Sequence, residues 1–212
     1  MKLMNTHYDS IILRPRLTII IALASLLFAC ASPTVRQQFD FGGTVVESDT
    51  KLSTTQVNPK LNILLAEIQV PSSLEGTSML YRLQYDNSQE LRPYAQSRWS
   101  MPPAQLLKQR IKTQINQQGG TVLATSDGVK NLPILRLELE EFAQHFTSPN
   151  QSQVQQRWRA SLINQNQLLA QRIFQAQAKC DSADAKGGAR AMPLATDMAI
   201  TELIAWLQTQ VK

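Results

Sequence analysis

The chain has 212 residues and a formal net charge of +5 at pH 7, with 43% hydrophobic and 17% charged residues. That composition fills one core domain of ordinary size and excludes a disordered polyelectrolyte. The basic excess is scattered and three of its members fall before position 30, so nothing reads as a nucleic-acid-binding patch, and two cysteines exclude a multi-disulfide scaffold.

Lys2, Arg14 and Arg16 precede Leu17–Ala29, an uncharged apolar run of 13 residues. Charge followed by an apolar stretch is the order of a secretory signal, and the run is shorter than the roughly 20 residues a membrane-spanning helix needs. It closes on Leu27-Phe28-Ala29-Cys30, which resembles the lipobox of bacterial lipoproteins, Phe28 being bulkier than that pattern favours. The resemblance implies removal of residues 1–29 and a diacylglycerol thioether with an N-acyl chain on Cys30. Each buried methylene of such chains contributes about 0.8 kcal/mol, so together they anchor firmly. Ala31 and Ser32 follow with no aspartate beside the cysteine, and lipoproteins of that pattern go to the outer membrane, facing the periplasm.

Residues 30–60 carry Pro33, Gly42, Gly43 and many serines and threonines without apolar periodicity, and read as a lipidated terminus and flexible tether, with one dense spot at Phe39-Asp40-Phe41-Gly42. The domain is then expected over 61–212. Leu61–Val70 reads as a buried strand in mid-sheet, stopped by Pro71. Met79–Tyr85 and Leu91–Tyr94 flank the polar turn Asp86-Asn87-Ser88. Pro102-Pro103 opens a helix with Ala104, Leu107, Ile111 and Ile115 on one stripe, ended by Gly119-Gly120. Thr121–Ala124 is a strand, and Leu135, Leu137 and Leu139 alternate with Arg136, Glu138 and Glu140 in a half-buried one. Val154 to Leu162 and Leu168 to Ala178, around a turn at Asn164–Gln167, complete an antiparallel meander, with the glutamines of 151–177 on its outer face. Gly187-Gly188 opens a last helix with Ala199, Ile200, Leu203, Trp206 and Leu207 on its apolar side. The expected fold is α/β (α+β): a single domain with a mixed, mainly antiparallel sheet of about five strands packed by amphipathic helices.

Four stretches carry a family resemblance: Phe39–Gly42, Tyr81-Arg-Leu-Gln-Tyr85, the run from Tyr94 through Arg98-Trp99 to Pro102-Pro103 and Leu107, and Leu137–Phe146. With the late alanine-rich helix carrying Trp206, the chain resembles the ABC-type transport auxiliary lipoprotein component over nearly all of 39–207. The resemblance implies an α/β domain without a cofactor and a place in systems that move phospholipids or related lipids between membranes. The partners it implies are a protein with MCE (mammalian cell entry) domains and an ABC permease and ATPase. Homo-oligomerisation is left open.

Arg98 and Trp99, just before a helix start, suit a partner-binding hot spot, with Tyr81 and Tyr85 as further partner-binding candidates. Packing is the stronger expectation for Trp99, as cross-strand pairing is for the tyrosines. His145, the one histidine after residue 29, is expected at a solvated strand position, with Glu138 and Glu140 on the opposite face and one carboxylate too few for a metal site. Cys180 is expected as a buried, inert thiol. The double glycines lack the spacing and lysine of a phosphate loop. No catalytic residue, metal or cofactor is assigned. The leading reading is a non-enzymatic subunit of a lipid transport system that docks its partner from the outer membrane. The alternatives are a tethered envelope hydrolase using His145, Glu141 and Cys180, or a scaffold lipoprotein for outer-membrane assembly.

Overall fold

The meander expected between Leu135 and Ala178 forms the trunk of the sheet. The computed structural model describes residues 36–42 and 60–211, so Cys30 and the apolar run before it lie outside the described residues. The strands are β1 (Gln37–Phe39), β2 (Asn62–Leu65), β3 (Ser78–Leu83), β4 (Asn87–Trp99), β5 (Thr121–Ala124), β6 (Ile134–Ser148), β7 (Gln151–Asn164) and β8 (Gln167–Lys179). The helices are α1 (Pro103–Gln117) and α2 (Ala185–Gln210).

β6 pairs antiparallel with β7 from Ile134↔Ile163 to Ser148↔Gln151, and β7 with β8 from Asn164↔Gln167 to Gln153↔Lys179. The β7–β8 turn holds Gln165 and Asn166 at φ 47° and 64°, the pair of left-handed residues that matches the twist of a tight hairpin. The other edge of β6 is shared end to end: β2 lies parallel to its start, at Leu64↔Ile134, and β3 lies parallel to its end, at Tyr81↔Gln144. β5 continues the sheet beyond β2, β4 continues it beyond β3, and β1 lies parallel to the end of β4. Among the described residues the sheet therefore counts eight strands, several of them short, where about five were expected. One long strand accommodates two short ones along a single edge, and the stretch read as tether adds β1. The long ladders are antiparallel and the sheet is mixed, as expected.

Both helices cover one face. Leu107, Ile111 and Ile115 of α1 are fully buried, the stripe its spacing predicts. Ala195, Ala199, Ile200, Leu203 and Leu207 of α2 pack over Trp158, Leu162 and Phe174. Each of the buried leucine and isoleucine side chains contributes about 1.5–3 kcal/mol on burial. α2 starts on Asp184, whose side chain accepts from the Gly187 amide at 2.7 Å. Among the described residues no helix is long and apolar enough to cross a membrane.

The simple alternation expected along β6 breaks in its middle. Leu139 opposes Trp158 and Glu141 opposes Arg157, so Glu140 is an extra residue and a bulge. Leu135, Leu137 and Leu139 face the helices before it, and Phe142, Gln144 and Phe146 do so after it. Glu138, Glu140, Glu141 and His145 thus share the open face. The expectation that Glu138 and Glu140 lie opposite His145 is corrected: one inserted residue shifts the phase of a period-two pattern by a full face.

Candidate functional site

Phe39-Asp40-Phe41-Gly42 forms a strap over the helix-covered face. The Phe39 carbonyl accepts from the Ser100 amide at 2.7 Å, and the Asp40 carboxylate accepts from the Gly42 amide at 2.8 Å, closing a turn that puts Gly42 at φ 64°. Between them the Phe41 ring meets Trp99 edge-on at 5.9 Å and stacks on Phe142 at 6.2 Å, while Trp99 and Phe142 meet at 5.5 Å. Aromatic contacts of this kind contribute beyond their burial.

A recess lies on each side of the strap. One, of about 320 Å³, runs against α1 at Leu106, Gln109 and Thr113, with Met101 from the segment before the helix. The other, an open groove of about 880 Å³, runs against α2 at Ala189, Pro193 and Leu194, with Phe39 and Phe41 on its opposite wall. Arg110 borders both. Its Nε donates to Asp197 Oδ1 at 2.6 Å, and Gln114 donates to the same oxygen, which pins α1 to α2 and holds the guanidinium more firmly protonated than usual. Arg190 donates to both carboxylate oxygens of Asp181 at 2.7 and 2.8 Å. The groove therefore combines apolar walls with cations that are largely neutralised where they stand; Lys186 adds a further positive charge to its lining. Such a surface suits an aliphatic or aromatic ligand more than a polyanion. Among the described residues no cluster of His, Cys, Asp and Glu is placed to hold a metal ion.

The residues singled out from the sequence do not converge on one surface. Trp99 is 2% exposed beneath Phe41 and serves packing. Arg98, beside it, is half-buried, and Tyr85 stands exposed in the β3–β4 turn. Tyr81 is half-buried against Tyr94 at 4.6 Å and Phe146 at 5.8 Å. These aromatics surround a residue that the sequence reading passed over. Gln144 Oε1 accepts from the Tyr94 hydroxyl at 3.0 Å, and its Nε2 donates to Ser152 Oγ at 2.8 Å and the Asp184 carbonyl at 3.1 Å. A Cβ at position 188 would lie 2.2 Å from Gln144 Oε1, so any larger residue there would push the Gln144 amide out of these hydrogen bonds. Burial pushes both the Tyr94 hydroxyl and the Cys180 thiol up in pKa. A glutamine in phase with Phe142 and Phe146 signals this hub only once the bulge is known.

His145 is 4% exposed rather than solvated. Gln84 Nε2 lies 3.0 Å from its Nδ1, and Glu141 Oε1 lies 2.9 Å from its Nε2, close although not aligned as a hydrogen bond. The neighbouring imidazole holds the Glu141 carboxyl below its ordinary pKa of 4.5. Cys180 hydrogen-bonds through its amide to Ser152 and sits with it on the helix-covered side. The sheet separates that thiol from His145 and Glu141, so the three groups required for a hydrolase do not meet.

A family model for the ABC-type transport auxiliary lipoprotein component matches residues 46–203. No curated protein matches the chain. The crystal structure of protein XCC0632 from Xanthomonas campestris is similar in fold at a TM-score of 0.64 and 17% identity, covering 74% of this chain and 90% of that one. A crystal structure of an uncharacterized protein gives a TM-score of 0.62 at 13% identity, over 82% of this chain and 99% of the other. At such identities the likeness concerns the fold alone.

Proposed function

This chain belongs to the family of ABC-type transport auxiliary lipoprotein components, and on that premise we propose that it docks an MCE-domain protein, with its permease and ATPase, from the outer membrane. Members of the family are outer-membrane lipoproteins facing the periplasm, and the chain is a non-enzymatic accessory subunit of a membrane-tethered transport complex. In the proposed arrangement residues 1–29 are removed, Cys30 carries the acyl chains, residues 30–60 lead from the lipid, and 61–212 form the docking domain. The cargo is phospholipid, and the groove beside the strap, walled by Phe39, Phe41, Pro193 and Leu194, takes an acyl chain.

The family match carries this reading, and the separation of Cys180 from His145 and Glu141 argues against the hydrolase. Affinity purification of the tagged mature lipoprotein under mild crosslinking is expected to recover the MCE-domain protein; repeated absence of that protein overturns the proposal. Mass spectrometry of the purified protein is expected to find co-purifying phospholipid, whereas a scaffold that binds no lipid carries none. Cys30→Ser is expected to release the processed chain from the membrane fraction, and full retention there sinks the anchor.

A further inference from the structure

The sheet ends in edges of very different kinds. β1 and β5 are three and four residues long, too short to template another chain. β4 is covered by β1 only at Ser97–Trp99, but its uncovered part carries Glu90, Arg92 and Pro93, a pair of charges and a missing donor that discourage pairing. β8 has neither protection. Over 13 residues its one strand neighbour among the described residues is β7, and it holds no proline. Of its two cations, Lys179 closes the strand, and Arg172 is turned toward α2, over the Phe174 ring at 5.0 Å and 3.4 Å from Glu202.

The open face beside this edge is apolar where β7 turns into β8. Ile134, Ile163 and Leu168 form one row in register across β6, β7 and β8. Leu169 is the extra residue of a second bulge, and Ile173 lies further along β8. Leu168, Leu169 and Ile173 are 60%, 47% and 52% exposed. No residue from Ala160 to Gln171 is ionisable. An unprotected edge flanked by exposed aliphatic side chains is what strand addition uses: backbone bonds give affinity and alternate side chains give selectivity.

The direction of the chain favours a protein over the membrane as the occupant. β6 runs away from this end of the sheet, and the pairings β6∥β3, β3 antiparallel to β4, and β4∥β1 make β1 run toward it. The start of β1, from which the chain leads back to Cys30, therefore lies at the far side. It is five strand spacings from β8, roughly 24 Å across the sheet at about 4.8 Å each. Cys30 lies seven positions before Gln37, a reach of at most about 25 Å.

We propose that the free edge of β8 and the exposed Leu168, Leu169 and Ile173 are the docking surface for a protein subunit of the transport system, which adds an uncharged, aliphatic-rich extended segment there. This rests on the function proposed above. The test places a photo-crosslinking benzophenone side chain at position 168, 173 or, as a control, 85 of the full-length chain in cells. Products with the MCE-domain subunit from 168 and 173 but not from 85 are the expected result. Products with a second copy of this chain, with lipid alone, or none from 168 and 173 overturn it. Capture of the MCE-domain subunit from 85 alone also overturns it, while leaving the proposed function standing. If no position captures a transport subunit and affinity purification of the parent recovers none, the function fails and this inference with it. In parallel, Leu168→Glu combined with Ile173→Glu is expected to weaken binding of the purified MCE-domain subunit at least tenfold with the melting temperature of the parent. Unchanged affinity in that folded variant overturns the proposal.

Discussion

Two borders of one sheet are finished in opposite ways. At the strap, three residues of β1 cover the end of β4, and Phe41 then turns in to roof Trp99 and Phe142, so those two rings are withdrawn from solvent. At the β7–β8 hairpin, a strand of 13 residues ends the sheet with aliphatic side chains in solvent. The first border contributes stability. The second contributes almost none, which makes it available for association. Hydrophobic side chains near an edge thus carry different meanings according to what covers them.

The sharpest way to break the contrast is Trp99→Ala, which opens a cavity under the strap and is expected to cost about 3–5 kcal/mol, read from denaturant unfolding. Phe41→Ala removes only the half-buried roof; an expected loss of about 1.5–3 kcal/mol should come with increased quenching of tryptophan fluorescence as Trp99 is uncovered. Asp184→Ala takes away the cap of α2, the helix that walls the groove opposite the strap, and about 1 kcal/mol of stability, visible in the same unfolding curves.

Acid gives a smaller, pH-bound effect on the open face. Because the folded-state pKa of Glu141 is held down by His145, its contribution is present above the ordinary value of 4.5 and is lost as pH falls through the depressed one. Melting temperature against pH is expected to fall less steeply in that acid window for Glu141→Gln than for the parent. Smallest of all, Leu168→Glu and Ile173→Glu should each change stability by no more than about 0.5 kcal/mol. A large loss from either would mean that the hairpin border is as structural as the strap.

What was legible in the sequence had local causes. Pro102-Pro103 and the spacing of Leu107, Ile111 and Ile115 write α1 into consecutive residues, and the alternation of Val154, Trp158 and Leu162 does the same for β7. β1 was hidden because three residues have no period, and the partner that makes them a strand lies far along the chain. Glu140 looks like one more outward residue in a run of carboxylates until the opposite strand is counted, and the burial of His145 and the inward place of Gln144 both follow from it. The candidate site fared worse than the fold. Phe41 and Trp99 were each conspicuous, but their contact, which makes one the lid of the other, is not encoded by either neighbourhood.

The extra residue at position 140 also sets where this sequence tolerates changes in length. Deleting Glu140 alone would remove the bulge and leave Phe142, Gln144 and Phe146 in phase with Leu139, whereas deleting one residue of the regular stretch, such as Arg136, would put Leu135 out of phase with Leu137 and Leu139 and turn one side of the gap to the wrong face. The loop between β5 and β6 has no such phase to keep. Insertions and deletions there leave both halves of the long strand facing as they do, so two gaps of equal size have opposite fates.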